Sequence, residues 1–234
     1  MTNQHWTRRN VIAAGAMSTG LLGSLMAQEV VPDEPYPASG AEALARLKAG
    51  NKRFVAGETR HAHEGANWRK HLVGGQRPLA TILSCSDSRV PPELVFDQGF
   101  GDLFVIRVAG NVIAADVVGS MAYAALHLKT PLFLVMGHTS CGAVTAALDT
   151  RLKGDHEPAS IADLLKLIDP ALKRIKIDAP YATALASAIE ANVLWSVEQL
   201  AMLPSCKAML KEEKLALQGA VYDLQTGGVK FLGQ

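Results

Sequence analysis

In the stretch "SCSDSRVP", residues 84–91, a thiol, an acid and a guanidinium stand at alternate positions as Cys85, Asp87 and Arg89. They follow the apolar run "PLATIL". In an extended chain alternate side chains point to one side, so the three could face a single spot unless the chain turns first. A carboxylate paired with a guanidinium is held ionised and aimed, and a thiolate is a metal ligand or a nucleophile. A second cluster, "GHTSCGAV", carries His138 and Cys141 in His-x-x-Cys spacing at a strand-to-helix turn. Cys85, His138 and Cys141 together make a Cys₂His set, which binds catalytic zinc and leaves a fourth position open for water. Gly137 and Gly142 flank the pair, and the expectation is that they let the backbone turn tightly enough for two nearby ligands to converge.

Taken singly, these residues say little. A lone buried cysteine is usually a small core residue. A disulfide between Cys85 and Cys141 competes with metal ligation in an exported protein, and a structural-zinc or thiol-redox module would use the same thiols. That module leaves Asp87 and Arg89 without a task. The conjunction of both clusters at strand ends favours a metal centre.

The elements that must position them can be read from pattern. "PLATILSC", "DLFVIRVAGN" and "PLFLVMGH" are continuous apolar runs, which suits strands buried on both faces of a parallel sheet. "DVVGSMAYAALHLK" lies between the second and third and has helical spacing, completing a β-α-β pattern. Ser39 caps an expected helix through "AEALARLKAGNKRFVAG", closed by Gly57. "HAHEGANWRKHLVGGQRP" reads as a turn-rich, polar stretch with a short helix near Trp68 to Leu72. Beyond Cys141 the chain is mostly helical, and "LALQGAVYDLQTGGVKFLGQ" ends it as two β-like runs around "TGG", an edge hairpin. The expected fold class is α/β: a mainly parallel central sheet flanked by helices, with a C-terminal edge strand or hairpin. Ligand chemistry in such sheets collects beyond the carboxyl ends of the strands, where Cys85 and His138 both fall.

"CSDSRVP" followed by "GHTSCGAV", with "FDQGFGDLFVIRVAGN" between them, resembles the β-class carbonic anhydrases, from about Glu42 to the C-terminus. The resemblance implies that Cys85, His138 and Cys141 ligate one Zn²⁺ per subunit and that Asp87 and Arg89 form the catalytic dyad. It implies an enzyme, a lyase, that reversibly hydrates carbon dioxide to bicarbonate and a proton by a zinc-bound hydroxide. Gln76, nine residues before the first cysteine, with Phe104 and Tyr123, matches the substrate pocket of the family's plant-type branch. Core packing is the plain alternative for the two rings. Gly142 would offer its backbone N–H to a zinc-bound anion. Ile82 stands where the other branch carries a tryptophan, so no regulatory bicarbonate pocket is expected. The family assembles as homodimers or multiples of dimers, with pocket side chains from both subunits. A related zinc hydrolase of the same fold, acting on carbon disulfide or a similar molecule, would share the metal set.

The remaining sequence sets the surroundings. The chain has 234 residues, 49% hydrophobic and 19% charged, with net charge +1 and no basic block, so nothing in it points to nucleic acid. Three cysteines are too few for a disulfide scaffold. Residues 1–27, with Arg8 and Arg9 before an Ala/Gly-rich apolar stretch, resemble a Tat-type export signal and imply a periplasmic mature protein. Thr7, Val11 and Leu25 depart from the usual pattern, and an uncleaved signal tethering the chain to the membrane is the alternative. Cleavage removes two arginines and no acid, taking the net charge from +1 to about −1 and leaving no stable membrane anchor. Residues 28–38 read as a linker and 39–234 as the folded domain. His61, His63 and His71 read as a solvated loop rather than a second metal site or proton relay. Gly101, Gly110 and Asn111 read as structural: turn formers and a strand-end hydrogen bonder. Cys206 reads as a minor surface or packing thiol.

Overall fold

A computed structural model describes residues 35–176 and 180–233. The expected export segment, and the linker up to residue 34, lie outside the described residues. Helix α1 spans Gly40–Ala56 as expected: the Ser39 hydroxyl accepts from the Glu42 N–H, and Gly57 closes it in the left-handed conformation at φ 72°. The turn-rich stretch holds α2, Ala66–His71. Then come β1 (Ala80–Ser84), α3 (Pro92–Val95), β2 (Leu103–Arg107), α4 (Ala115–Tyr123) and β3 (Leu132–His138). The rest is α5 (Gly142–Lys153), α6 (Ala159–Leu172), α7 (Tyr181–Met202), α8 (Pro204–Lys211), β4 (Ala216–Tyr222) and β5 (Val229–Leu232).

The five strands lie in the order β2-β1-β3-β4-β5, parallel except for β5, which returns antiparallel to β4 as the expected edge hairpin. Alternation along the strands divides the core into two layers. Ile82, Leu134 and Met136 pack with Ala43 and Leu47 of α1 and with Val95 and Phe96. Leu83, Phe133 and Val135 pack with the layer that α4 to α8 supply. One expectation is corrected. β1 and β3 are buried throughout, but β2 is only half-buried and ends in an exposed Arg107, because it forms the sheet edge and has no neighbour on its outer side. A continuous apolar run does not distinguish a central strand from an edge one.

The histidine-bearing stretch is also more structured than a solvated loop. The His63 ring lies against the Asp102 carboxylate, 2.8 Å from Nδ1 to Oδ1, and stacks on Trp68 with ring centroids 4.0 Å apart. The short α2, expected near Trp68, gives that ring its platform. Cys206 is fully buried, a packing thiol.

From the ends of the adjacent strands β1 and β3 the chain leaves to opposite faces, through α3 on one side and α5 on the other. In open α/β sheets ligands settle beyond the carboxyl ends of strands that diverge in this way.

Candidate metal centre

Cys85 is the first residue past β1, His138 the last of β3, and Cys141 the residue that starts α5. Parallel pairing of β1 with β3, with Ser84 opposite Met136, brings the two strand ends side by side. The two sulfurs and a His138 ring nitrogen all lie within 4.8 Å of one another, and all three residues are buried. Cys85 and Cys141 are free thiols with sulfurs 4.0 Å apart, twice a disulfide bond length. The disulfide alternative is absent from this arrangement.

The electrostatics suit a cation. His138 Nδ1 lies 3.0 Å from the Thr139 carbonyl oxygen, which fixes the proton there and leaves a lone pair on Nε2. That Nε2 is buried with no hydrogen-bond partner, a costly state that an ion would relieve. Cys85 is pulled down to about 4, first by hydrogen bonding from Cys141, with the Gly110 N–H adding to it against burial. Cys141 is pushed up by sharing its proton with Cys85 and by burial. One thiolate and one thiol, poised beside an imidazole lone pair, fit a borderline-soft cation such as Zn²⁺.

Asp87 and Arg89 do not extend the strand. The chain turns at once, with the Val90 N–H donating to the Asp87 carbonyl at 3.0 Å, so Cys85 points inward while Arg89 stays exposed. The pair still meets. Arg89 Nε and Nη2 donate to the two Asp87 oxygens at 2.8 and 2.7 Å, and the Arg89 backbone N–H adds a third bond at 3.0 Å. Arg89 thereby holds the Asp87 carboxyl well below the usual carboxylate range. Asp87 Oδ2 is 3.8 Å from His138 Nε2, at the mouth of the donor group.

The glycines act differently from expectation. Neither Gly137 nor Gly142 has positive φ; the left-handed residue between the two ligands is Ser140, at φ 57°. Gly137 is needed for close approach, because a Cβ there would sit 2.6 Å from Val193 of α7. A Cβ on Gly142 would meet nothing within 4 Å, so this first residue of α5 faces open space beside Cys141.

The other pocket residues do not gather around the group within one chain. Phe104 and Tyr123 meet each other, with ring centroids 6.2 Å apart, on the open β2 side. Phe104 pairs in register with Thr81, at the start of β1 rather than at the end that carries Cys85. Gln76 is exposed and lines a groove of about 630 Å³ with Tyr36, His63, Trp68 and Arg77, also at the amino end of β1.

Two residues near the metal group carried no sequence signal of their role. Arg107, at the end of β2, donates to the Cys85 carbonyl at 3.0 Å and to the Asp87 carbonyl at 2.5 Å. One guanidinium thus holds the backbone of both a donor and the dyad acid. The Gly110 N–H points at the Cys85 sulfur, 3.3 Å away.

Comparison with known proteins agrees with this geometry. The family model described as carbonic anhydrase matches residues 80–229. A carbonic anhydrase 2 of Mycobacterium tuberculosis is 38% identical over 185 residues, covering 77% of this chain and 87% of that protein. A carbonic anhydrase of Mycolicibacterium smegmatis is 46% identical over 126 residues, 54% of this chain and 61% of its own. Among solved structures, the β-carbonic anhydrase CcaA superposes with a TM-score of 0.65 at 27% identity, covering 81% of this chain and 95% of that one. A Coccomyxa β-carbonic anhydrase also gives 0.65, at 25% identity, covering 84% and 87%.

Proposed function

The chain belongs to the β-carbonic anhydrase family, and from that premise we propose how its own residues carry out the hydration of carbon dioxide to bicarbonate and a proton. Cys85, His138 and Cys141 hold one Zn²⁺ per chain. When bound there, zinc lowers the pKa of a coordinated water toward ~7 and so supplies hydroxide near neutral pH. The observation that carries the assignment is the buried, unpartnered Nε2 of His138 beside two free thiols.

Asp87 is the orienting group. Its carboxylate, kept ionised by the two-pronged Arg89 contact, accepts a hydrogen bond from the attacking water and turns the oxygen lone pair toward the carbon. Arg89 also prevents the carboxylate from taking up the proton that must leave. The Gly142 N–H, at the positive end of α5, donates to the negatively charged product. Its lack of a side chain keeps that approach clear.

The apolar wall for carbon dioxide comes from a second copy of the chain. Phe104 and Tyr123 flank the exposed β2 edge, and Gln76 precedes β1 at the end away from Cys85, so assembly as a dimer or a multiple of dimers supplies them across the interface. Residues 1–27 direct export to the periplasm.

The test combines metal content with activity. The purified protein binds close to one zinc per chain, and Asp87→Ala keeps the metal while losing hydration. An isolated protein without zinc, or one in which Asp87→Ala hydrates carbon dioxide at the wild-type rate, refutes the mechanism.

A further inference from the structure

The turn Ala109–Asn111 is conformationally expensive. Gly110 and Asn111 are consecutive left-handed residues, at φ 69° and 45°. For a non-glycine residue such as Asn111 this conformation is strained and persists only where the surroundings over-determine it. A side chain at Gly110 would also press on Ile168, whose Cδ1 would lie 2.9 Å from the new Cβ.

What over-determines the turn is α7. Asn192 Nδ2 donates to the Gly110 carbonyl at 2.7 Å, and Ser196 Oγ donates to the Asn111 carbonyl at 3.1 Å. These two side chains are 1% and 0% exposed, polar groups four residues apart on a helix whose neighbouring buried positions are Ala188, Ile189, Val193 and Leu200. A buried asparagine and serine in an apolar helix cost desolvation unless their bonds accomplish something. This turn presents the Gly110 N–H to the metal centre, aimed at the Cys85 sulfur.

We propose that Asn192, seconded by Ser196, is a positioning residue for the metal centre: by gripping the Gly110 turn from α7 it aims the Gly110 N–H at Cys85 and so sets that sulfur's orientation and donor strength. The inference rests on Cys85 being a metal ligand. An N–H bond to a ligating sulfur draws electron density from it and fixes where it points, so releasing the turn makes the sulfur the stronger donor in the spectrum while its lost orientation costs metal affinity.

The experiment uses the full chain with cobalt in place of zinc, in wild type, Asn192→Ala and Ser196→Ala. The wild type shows a thiolate-to-cobalt charge-transfer band. In Asn192→Ala that band moves to lower energy, and zinc, competed against a chelator, is held ~10-fold or more weakly. Ser196→Ala moves both readouts in the same direction by less. If Asn192→Ala fails to fold, Ser196→Ala decides by the same two readouts. A variant that melts at lower temperature yet keeps the wild-type band and zinc affinity overturns the proposal; the band is the readout that loss of helix packing alone leaves in place. A wild type with no charge-transfer band overturns the metal assignment along with it.

Discussion

The metal-free protein tests the electrostatics of the site directly. With Cys85 pulled down to about 4 and Cys141 pushed up, the metal-free chain carries one thiolate at neutral pH, not zero and not two. An ordinary thiol near 8.5 is only ~3% ionised at pH 7, so two ordinary thiols would contribute almost no thiolate. Cys206, pushed up by burial, stays silent in the same range. Thiolate absorbance in the ultraviolet counts ionised sulfurs without requiring reagent access, which matters for a Cys85 that is 5% exposed. Already in mild acid the metal-free protein shows one thiolate, and titrated upward it gains no second one until strongly alkaline pH. The largest cause of the Cys85 shift is hydrogen bonding from Cys141, 4.0 Å away, so Cys141→Ala returns Cys85 toward ordinary behaviour and removes most of the neutral-pH signal. Absence of thiolate in the metal-free wild type at pH 7, or a signal indifferent to Cys141→Ala, refutes the reasoning.

Other outcomes follow from the same contacts. Arg107→Ala removes two bonds from a charged donor to the Cys85 and Asp87 carbonyls; because the guanidinium is exposed, urea denaturation shows a loss on the order of 1–2 kcal/mol, with a larger proportional fall in hydration rate. Gly137→Ala forces a methyl to within 2.6 Å of Val193 and lowers stability by ~1–3 kcal/mol, read from the same denaturation curves. Phe104→Glu places a charge on the open β2 edge, and sedimentation then shows a smaller species with hydration lost; an unchanged assembly at full activity contradicts the shared pocket.

The donor set was legible because each of its members ends or follows a strand, and strand ends can be read from apolar runs closed by Cys85 and His138. The Asp87–Arg89 pair was legible by type, although the path to it was not: a turn, rather than alternation along a strand, brings the two together. The hairpin and the capped first helix were equally plain, through "TGG" and through Ser39 with Gly57. The half-exposed β2 was hidden, since edge position depends on which strands find partners. Arg107 was hidden because its task is to hold backbone carbonyls 22 and 20 residues away in sequence, and no residue type advertises that. Asn192 and Ser196 had a faint signal: two small polar residues four apart within an apolar helix, a spacing that puts them on one face. The glycines misled for a physical reason. Their freedom in φ was the expected use, whereas Gly137 is used for its size and Ser140 bears the left-handed turn.

The placement of the donors on two different strands has a mechanical consequence. Any ion that engages both Cys85 and His138 joins points 53 residues apart in sequence, and so acts as a cross-link. A covalent tie closing a loop of that length removes on the order of 4 kcal/mol of unfolded-chain freedom. The reactive centre would then double as a clasp between the adjacent strands β1 and β3, and the chain would gain much of its resistance to unravelling at the moment it becomes competent for chemistry.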